Sequence, residues 1–245
     1  MYRFFTSSDL IGGEYLTVEG ADVHHIRNVL RMKAGEDIEA VDENGLVYTC
    51  RIETLEKNVI TARILFSEPA ETELPSRVIL YMGLPKFEKM ELIIQKAVEL
   101  GVSEVVPVKT ARCVVKLDEK RSATKLERWK GIAEAAAKQS KRGIIPTVRG
   151  VMSFKEALTE ASKLDHSIIP YEKAEGIESS RQAIENVKPG ESVGIFIGPE
   201  GGFEVSEVED AIASGAESIT LGKRILRCET AAITVLSILM FHLTT

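Results

Sequence analysis

Two short segments near the carboxyl-terminal end hold the residue types that could do chemistry. Residues 197–203 read IGPEGGF and residues 221–231 read LGKRILRCETA. In the first, Gly198, Gly201 and Gly202 would let a backbone approach a ligand closely or take positive φ. It is not a phosphate loop: it has no G-x-G-x-x-G and no G-K-[ST], and Glu200 would repel a phosphate. A neutral or cationic ligand suits it better; a tight turn whose glycines serve only geometry is the alternative. In the second, Lys223, Arg224, Arg227 and Glu229 crowd beside an apolar stretch, and charges next to a buried helix need pairing or a ligand. Arg224 or Arg227 could hold a phosphate or an anionic base, while Glu229 and Thr230 could equally cap the helix that follows.

The elements that position these segments are readable from periodicity. Val193–Ile197 and Ser218–Leu221 read as strands, Val205–Ser214 and Thr230–Leu243 as helices, so each segment follows a strand end and leads into a helix. Ligands bind at such places in α/β proteins. Upstream, strands at Val78–Met82, Val105–Val108 and Ser167–Tyr171 alternate with helices at Glu88–Leu100, Lys125–Ser140, Phe154–Leu164 and around Arg181–Asn186. Thr124 and Glu127 have capping-box spacing at the second of these helices. The alternation means an α/β layer on a mostly parallel sheet. Residues 35–66 differ: short β-rich runs at Asp37–Val41, Val47–Ile52 and Val59–Leu65 follow one helix near Asp22–Arg31. Glu68–Ser76, with two prolines, reads as a linker. The expected organisation is a β-rich domain over residues 1–70 and an α/β domain over 74–245.

Three scattered cysteines provide no disulfide framework, and His24, His25, His166 and His242 no ligand spacing, so no metal is expected. With no signal peptide and no apolar stretch long enough to span a bilayer, a cytoplasmic protein is expected. The net charge of −6 is unevenly spread: −5 over residues 1–70, +6 over 71–150 and −7 over 151–245. Residues 109–149 carry 12 Lys and Arg against 4 Asp and Glu, which suggests an anionic partner or a solvated helical face.

The two carboxyl-terminal segments together resemble the signature of the RsmE family, the small-subunit ribosomal RNA uridine-N3 methyltransferases of the SPOUT superfamily. Leu84-Pro-Lys86 with Lys89-Met-Glu91, residues 94–101 (IQKAVELG), Glu134 to Arg142 with Pro146, and residues 24–31 (HHIRNVLR) resemble other parts of that family. The resemblance implies a knotted SPOUT α/β methyltransferase domain, a PUA-like β-barrel at the amino terminus, a homodimer, S-adenosylmethionine as cofactor and 16S ribosomal RNA as partner. By resemblance the cofactor lies among Tyr171, Gly198, Glu200, Gly201, Gly202, Leu221, Gly222 and Leu226. Arg227 would hold the anionic uracil or a flanking phosphate, with Glu229 a candidate proton acceptor. Cys228 has no implied role, because N3 alkylation needs no covalent enzyme intermediate. RNA contact is expected from His24, Arg27 and Arg31, which with Asn28 recur at one-face helical spacing, and from Lys86, Lys138, Lys141, Arg142 and Arg224. A ribose 2′-O-methyltransferase of the same superfamily and a non-catalytic RNA-binding assembly factor are the rival readings.

Overall fold

The computed structural model describes residues 1–115, 119–174 and 176–244. The chain divides into two compact units: Met1–Glu73 with Ala137–Ile145, and Leu74–Ala136 with Pro146–Thr245. The first is therefore discontinuous, where the sequence suggests one uninterrupted domain.

The first unit holds β1 (Tyr2–Phe5), β2 (Ile11–Gly12), β3 (Tyr15–Glu19), α1 (Ala21–His24), β4 (Asp37–Val41), β5 (Leu46–Leu55) and β6 (Val59–Pro69). They form one sheet in the order β1-β4-β5-β6-β3-β2. β1 runs parallel to β4, and the other pairs are antiparallel. Alternation builds the core. Ile38 and Ala40 of β4, Cys50 and Ile52 of β5, and Leu16 and Val18 of β3 turn inward. The β4–β5 turn is made by Asp42, whose Oδ1 accepts from the amides of Asn44 and Leu46, both at 2.9 Å, with Gly45 at φ 76°.

α1 runs directly into a π turn over His25–Val29, with the Leu30 amide donating to the His25 carbonyl at 2.9 Å. This widened turn breaks the 3.6-residue period on which the expected shared face of His24, Arg27, Asn28 and Arg31 rests. Arg31 has left the helix at φ 55°, and the Arg27 guanidinium donates to the Glu56 carbonyl at 2.9 Å.

The segment Ala137–Ile145 corrects the expected basic stripe. Arg142 is only 2 % exposed, and its guanidinium forks onto the Glu73 carboxylate, with Nε at 2.8 and 3.0 Å from the two oxygens. Glu73 also accepts from the Gly143 amide at 2.8 Å. Lys141 pairs with Glu39 at 2.8 Å, and Lys138 with Asp22 at 2.9 Å. Burial works against the charge on Glu39, but the cations of Lys141 and Arg3 outweigh it and hold its pKa below the usual range. Arg142 is thus an internal strut whose charge Glu73 takes, not part of an exposed stripe. Lys116, counted in the same stripe, lies outside the described residues.

The second unit holds β7 (Arg77–Gly83), α2 (Lys89–Glu99), β8 (Glu104–Lys109), α3 (Glu119–Gln139, which ends in the first unit), β9 (Thr147–Val148), β10 (Met152–Ser153), α4 (Phe154–Ala161), β11 (His166–Pro170), α5 (Ile177–Glu185), β12 (Ser192–Ile197), α6 (Val205–Ala213), β13 (Glu217–Ile219) and α7 (Cys228–Leu243). The sheet order is β10-β8-β7-β12-β11-β13, with β9 beside β8, and all its pairs are parallel. β7 and β12 are buried along almost their whole length, as strands covered on both faces must be. The Tyr81 and Phe196 rings stack at 4.7 Å between centroids, and Phe154 of α4 meets Phe196 edge-on at 5.8 Å. α3 begins at Glu119, ahead of the expected Thr124 cap. Lys120, Arg121 and Ala123 are good helix formers, and the Thr124 hydroxyl turns back onto the Lys120 carbonyl at 3.1 Å. No helix among the described residues is long and apolar enough to cross a membrane. The strand order reverses at β7/β12, which places a ligand crevice outside the carboxyl ends of the central strands.

Replacing Glu73 with Ala would leave the Arg142 guanidinium buried without its carboxylate. A loss of about 3 kcal/mol is expected, measured by urea unfolding, and a smaller loss for Arg142→Met, which removes the charge with it. A Glu73→Ala protein as stable as the parent would show that the pair contributes nothing.

Candidate active site

At the carboxyl ends of β11, β12 and β13 lies a cleft of about 450 Å³, within the range of roughly 300–1,000 Å³ typical of small-molecule sites. Its first wall is the loop after β12. The Gly202 amide closes a turn onto the Pro199 carbonyl at 2.8 Å, with Gly202 at φ 66°. A Cβ on Gly198 would stand 3.0 Å from the Gly202 carbonyl carbon. The loop is also held from outside. Arg112 donates through Nη1 to the Gly201 carbonyl at 2.8 Å and through Nε to Glu204 at 3.0 Å. At the end of β7, a Cβ on Gly83 would come within 2.7 Å of the Pro199 ring. Gly83 is thus required for close approach, a role that its place at the end of an apolar run does not reveal.

The second wall is residues 220–227. The Thr220 amide donates to Ser180 Oγ at 2.9 Å, the Gly222 amide to Thr220 Oγ1 at 3.2 Å, and Gly222 sits at φ 105°. Leu221, Leu226 and Ile225 give this side an apolar lining. Tyr171 closes the third side, its amide bonded to the Ile219 carbonyl at 2.9 Å. Tyr171, Gly198, Glu200, Gly201, Gly202, Leu221, Gly222 and Leu226 therefore share one cleft, though they come from three loops.

Lys89 connects these walls. It is the first residue of α2 and lines the cleft, with Nζ 3.1 Å from Glu200 and 3.4 Å from Glu229. Glu200 also accepts from the Lys86 amide at 3.0 Å. Burial opposes the charge on Glu200, but its own amide, Lys89 and the Lys86 amide outweigh burial and hold its pKa low. Glu229 is lowered in the same way, burial being outweighed by its own amide, the Cys228 thiol at 3.2 Å and Lys89. The hydrogen bond to Glu200 raises the Lys89 pKa. Burial pushes the Cys228 thiol up to about 12, so it is no nucleophile at neutral pH.

Two expectations for this segment change. The N-cap of α7 is Arg227, which makes no side-chain cap; Glu229 lies in the first turn and spends its carboxylate on Lys89. A carboxylate whose pKa is lowered is a weaker base, and Glu229 does not line the cleft, whereas Arg227 does. Lys223, Arg224 and Arg227 enter no ion pair with any of the described residues, and all three are exposed. Of the residues expected to touch RNA, Arg224 lines the cleft and Lys86 adjoins it through Glu200; His24, Arg27, Arg31, Lys138, Lys141 and Arg142 belong to the other unit. The described residues contain no group of three or more His, Cys, Asp or Glu that could hold a metal ion.

A family profile described as an RNA methyltransferase domain matches residues 72–240, and one described as an RNA methyltransferase PUA domain matches residues 18–65. The chain is 37 % identical over 248 aligned residues to ribosomal RNA small subunit methyltransferase E of Bacillus subtilis, covering 99 % of this chain and 97 % of that protein. It is 34 % identical to the protein of that name from Mesomycoplasma hyopneumoniae, covering 97 % and 98 %. The crystal structure of a ribosomal RNA small subunit methyltransferase E from Neisseria gonorrhoeae, bound to S-adenosyl methionine, superposes with a TM-score of 0.81 at 32 % identity, covering 97 % of this chain and 95 % of that one.

The Lys89 cluster makes stability depend on acid. Glu200 and Glu229 have lowered pKa values, so their contribution is present above the ordinary glutamate value of about 4.3 and is lost as pH falls below it. Lys89→Met should remove the part of that dependence that Lys89 supplies, leaving the part due to the glutamates' own amides. Melting temperatures of the two proteins between neutral and acid pH test it, and parallel curves would dismiss the coupling.

Proposed function

Because the chain belongs to the ribosomal RNA small subunit methyltransferase E family, we propose that it methylates N3 of a uridine in small-subunit ribosomal RNA, using S-adenosylmethionine. The observation that carries the reading is the cleft itself, in which backbone-rich glycine loops meet beside arginines that pair with none of the described residues. The donor set suits this cofactor. Backbone groups of Gly198, Gly201, Gly202, Leu221 and Gly222 can bond its polar atoms, and Tyr171, Leu221 and Leu226 can cover its apolar parts. When bound, the cofactor supplies an electrophilic methyl group on a sulfonium.

The chain's own residues do the rest. Glu200, fixed by Lys89 and the Lys86 amide, braces the glycine loop that borders the cofactor. Arg227 holds the uracil edge as N3 gives up its proton to solvent water, and its guanidinium, unpaired among the described residues, stabilises the anion that forms. Arg224 and Lys86 meet flanking phosphates, giving affinity without sequence selection. Glu229 positions Lys89 rather than taking the proton. The family reading also implies a knotted SPOUT domain, a homodimer, the small ribosomal subunit as partner and a cytoplasmic location.

Gly201→Val would drive a branched side chain toward Arg112, whose Cβ is already 3.1 Å from the position of a Cβ there. Loss of cofactor binding with an unchanged circular dichroism spectrum is expected, and titration calorimetry reads it; retained affinity would make the loop purely structural. Arg227→Ala should lower kcat about a hundredfold while leaving cofactor affinity intact. The product is read by reverse transcription, which N3 methylation blocks. A product that reads through yet resists alkali would be a ribose 2′-O-methyl group and would sink the N3 assignment.

A further inference from the structure

The loop between β7 and α2 carries a feature the proposed chemistry leaves unused. Phe87 has φ 56°, a backbone conformation costly for a bulky side chain and free for glycine. Its ring is not packed into the protein, for Phe87 is 84 % exposed. A strained backbone that presents an aromatic ring to water gains nothing inside this chain to offset the strain.

Its place indicates what could. The Lys86 amide on one side of Phe87 and the Lys89 ammonium on the other both bond Glu200, which lines the cleft. Phe87 therefore sits between two residues that both hold Glu200. Ile225, which lines the cleft, is 89 % exposed. The side chains of Lys86, Arg224 and Arg227 are exposed cations that pair with none of the described residues. Exposed aromatic surface interleaved with unpaired cations is how proteins hold single-stranded nucleic acid: the cations follow the backbone and the ring takes a base face.

We propose that Phe87 is a stacking platform for an unpaired RNA base that flanks the nucleotide bound in the cleft. The inference rests on the function proposed above and adds the kind of RNA. N3 lies on the pairing edge of uracil, so the target must be unpaired and withdrawn from its stack. The neighbouring base then loses a stacking partner, and Phe87 replaces it.

The test uses the full chain, a single-stranded uridine-containing oligoribonucleotide of about ten nucleotides and a blunt duplex of the same sequence. Phe87→Ala and Phe87→Gly should each weaken single-strand binding about tenfold, with duplex binding and S-adenosylmethionine affinity unchanged. Phe87→Gly should also raise the melting temperature, because it relieves the positive φ; a side chain needed only for structure would lower it. Phe87→Trp should retain affinity, and its indole emission should be quenched by the single strand. Unchanged single-strand affinity in Phe87→Ala, an equal loss on the duplex, or a change in oligomeric state would overturn the platform. If the parent protein neither binds the cofactor nor methylates RNA, the functional reading fails; if it does both and Phe87→Ala binds as it does, only the platform fails.

Discussion

One ammonium group, shared between two carboxylates, organises the candidate site. Lys89 reaches Glu200 on the loop after β12 and Glu229 in the first turn of α7. Each glutamate is partly buried and would cost free energy if charged alone. Lys89 offsets part of that cost for both, so three segments far apart in sequence are tied to one cation. The glycines allow the loops their shapes, but glycine cannot hold a shape once adopted. The ion cluster and the Arg112 brace on the opposite flank of the loop supply the restraint.

Charge does different work in the two units. In the first, the cations of Ala137–Ile145 are spent on Asp22, Glu39 and Glu73. The acidic balance of the amino-terminal residues and the basic balance of the middle of the chain are thus, in part, two sides of one interface within a folded unit. In the second, Lys223, Arg224 and Arg227 pair with none of the described carboxylates, and the two arginines line the cleft. Counting charges along a sequence cannot separate a spent cation from a free one, because Coulomb attraction acts between neighbours in space.

Legibility followed the same division between local and remote. Asp37–Val41 and Val193–Ile197 were readable because a pleated strand writes its burial into consecutive residues, alternating in the first and continuous in the second. β1 was not: its four residues, YRFF, are strand only through pairing with β4, more than thirty residues away in Tyr2↔Ile38. The π turn after α1 is not written in its residues, which fit an α-helix equally, and the widened hydrogen bonds show only in the fold. The glycine loops could be found from composition and strand-end position, and the resemblance identified their neighbours. The role of Lys89 could not, since both of its partners lie in segments that the fold alone brings to it. The partners of Arg142 and Glu229 were hidden for that reason too: Glu73 and Lys89, which take their charges, are remote in sequence.

The discontinuity of the first unit bears on how the chain is born. During synthesis the sheet of β1 to β6 emerges first, yet Asp22 and Glu73 lack their cations, and Glu39 the second of its two, until Ala137–Ile145 has left the ribosome. Until then Asp22 and Glu73 stand without these counter-charges, Glu39 has only Arg3, and the strut at Arg142 is missing. The amino-terminal unit therefore completes itself only after the first strands and helices of the second have been made. A fragment cut in the stretch before β7 would not be a domain but an unfinished one.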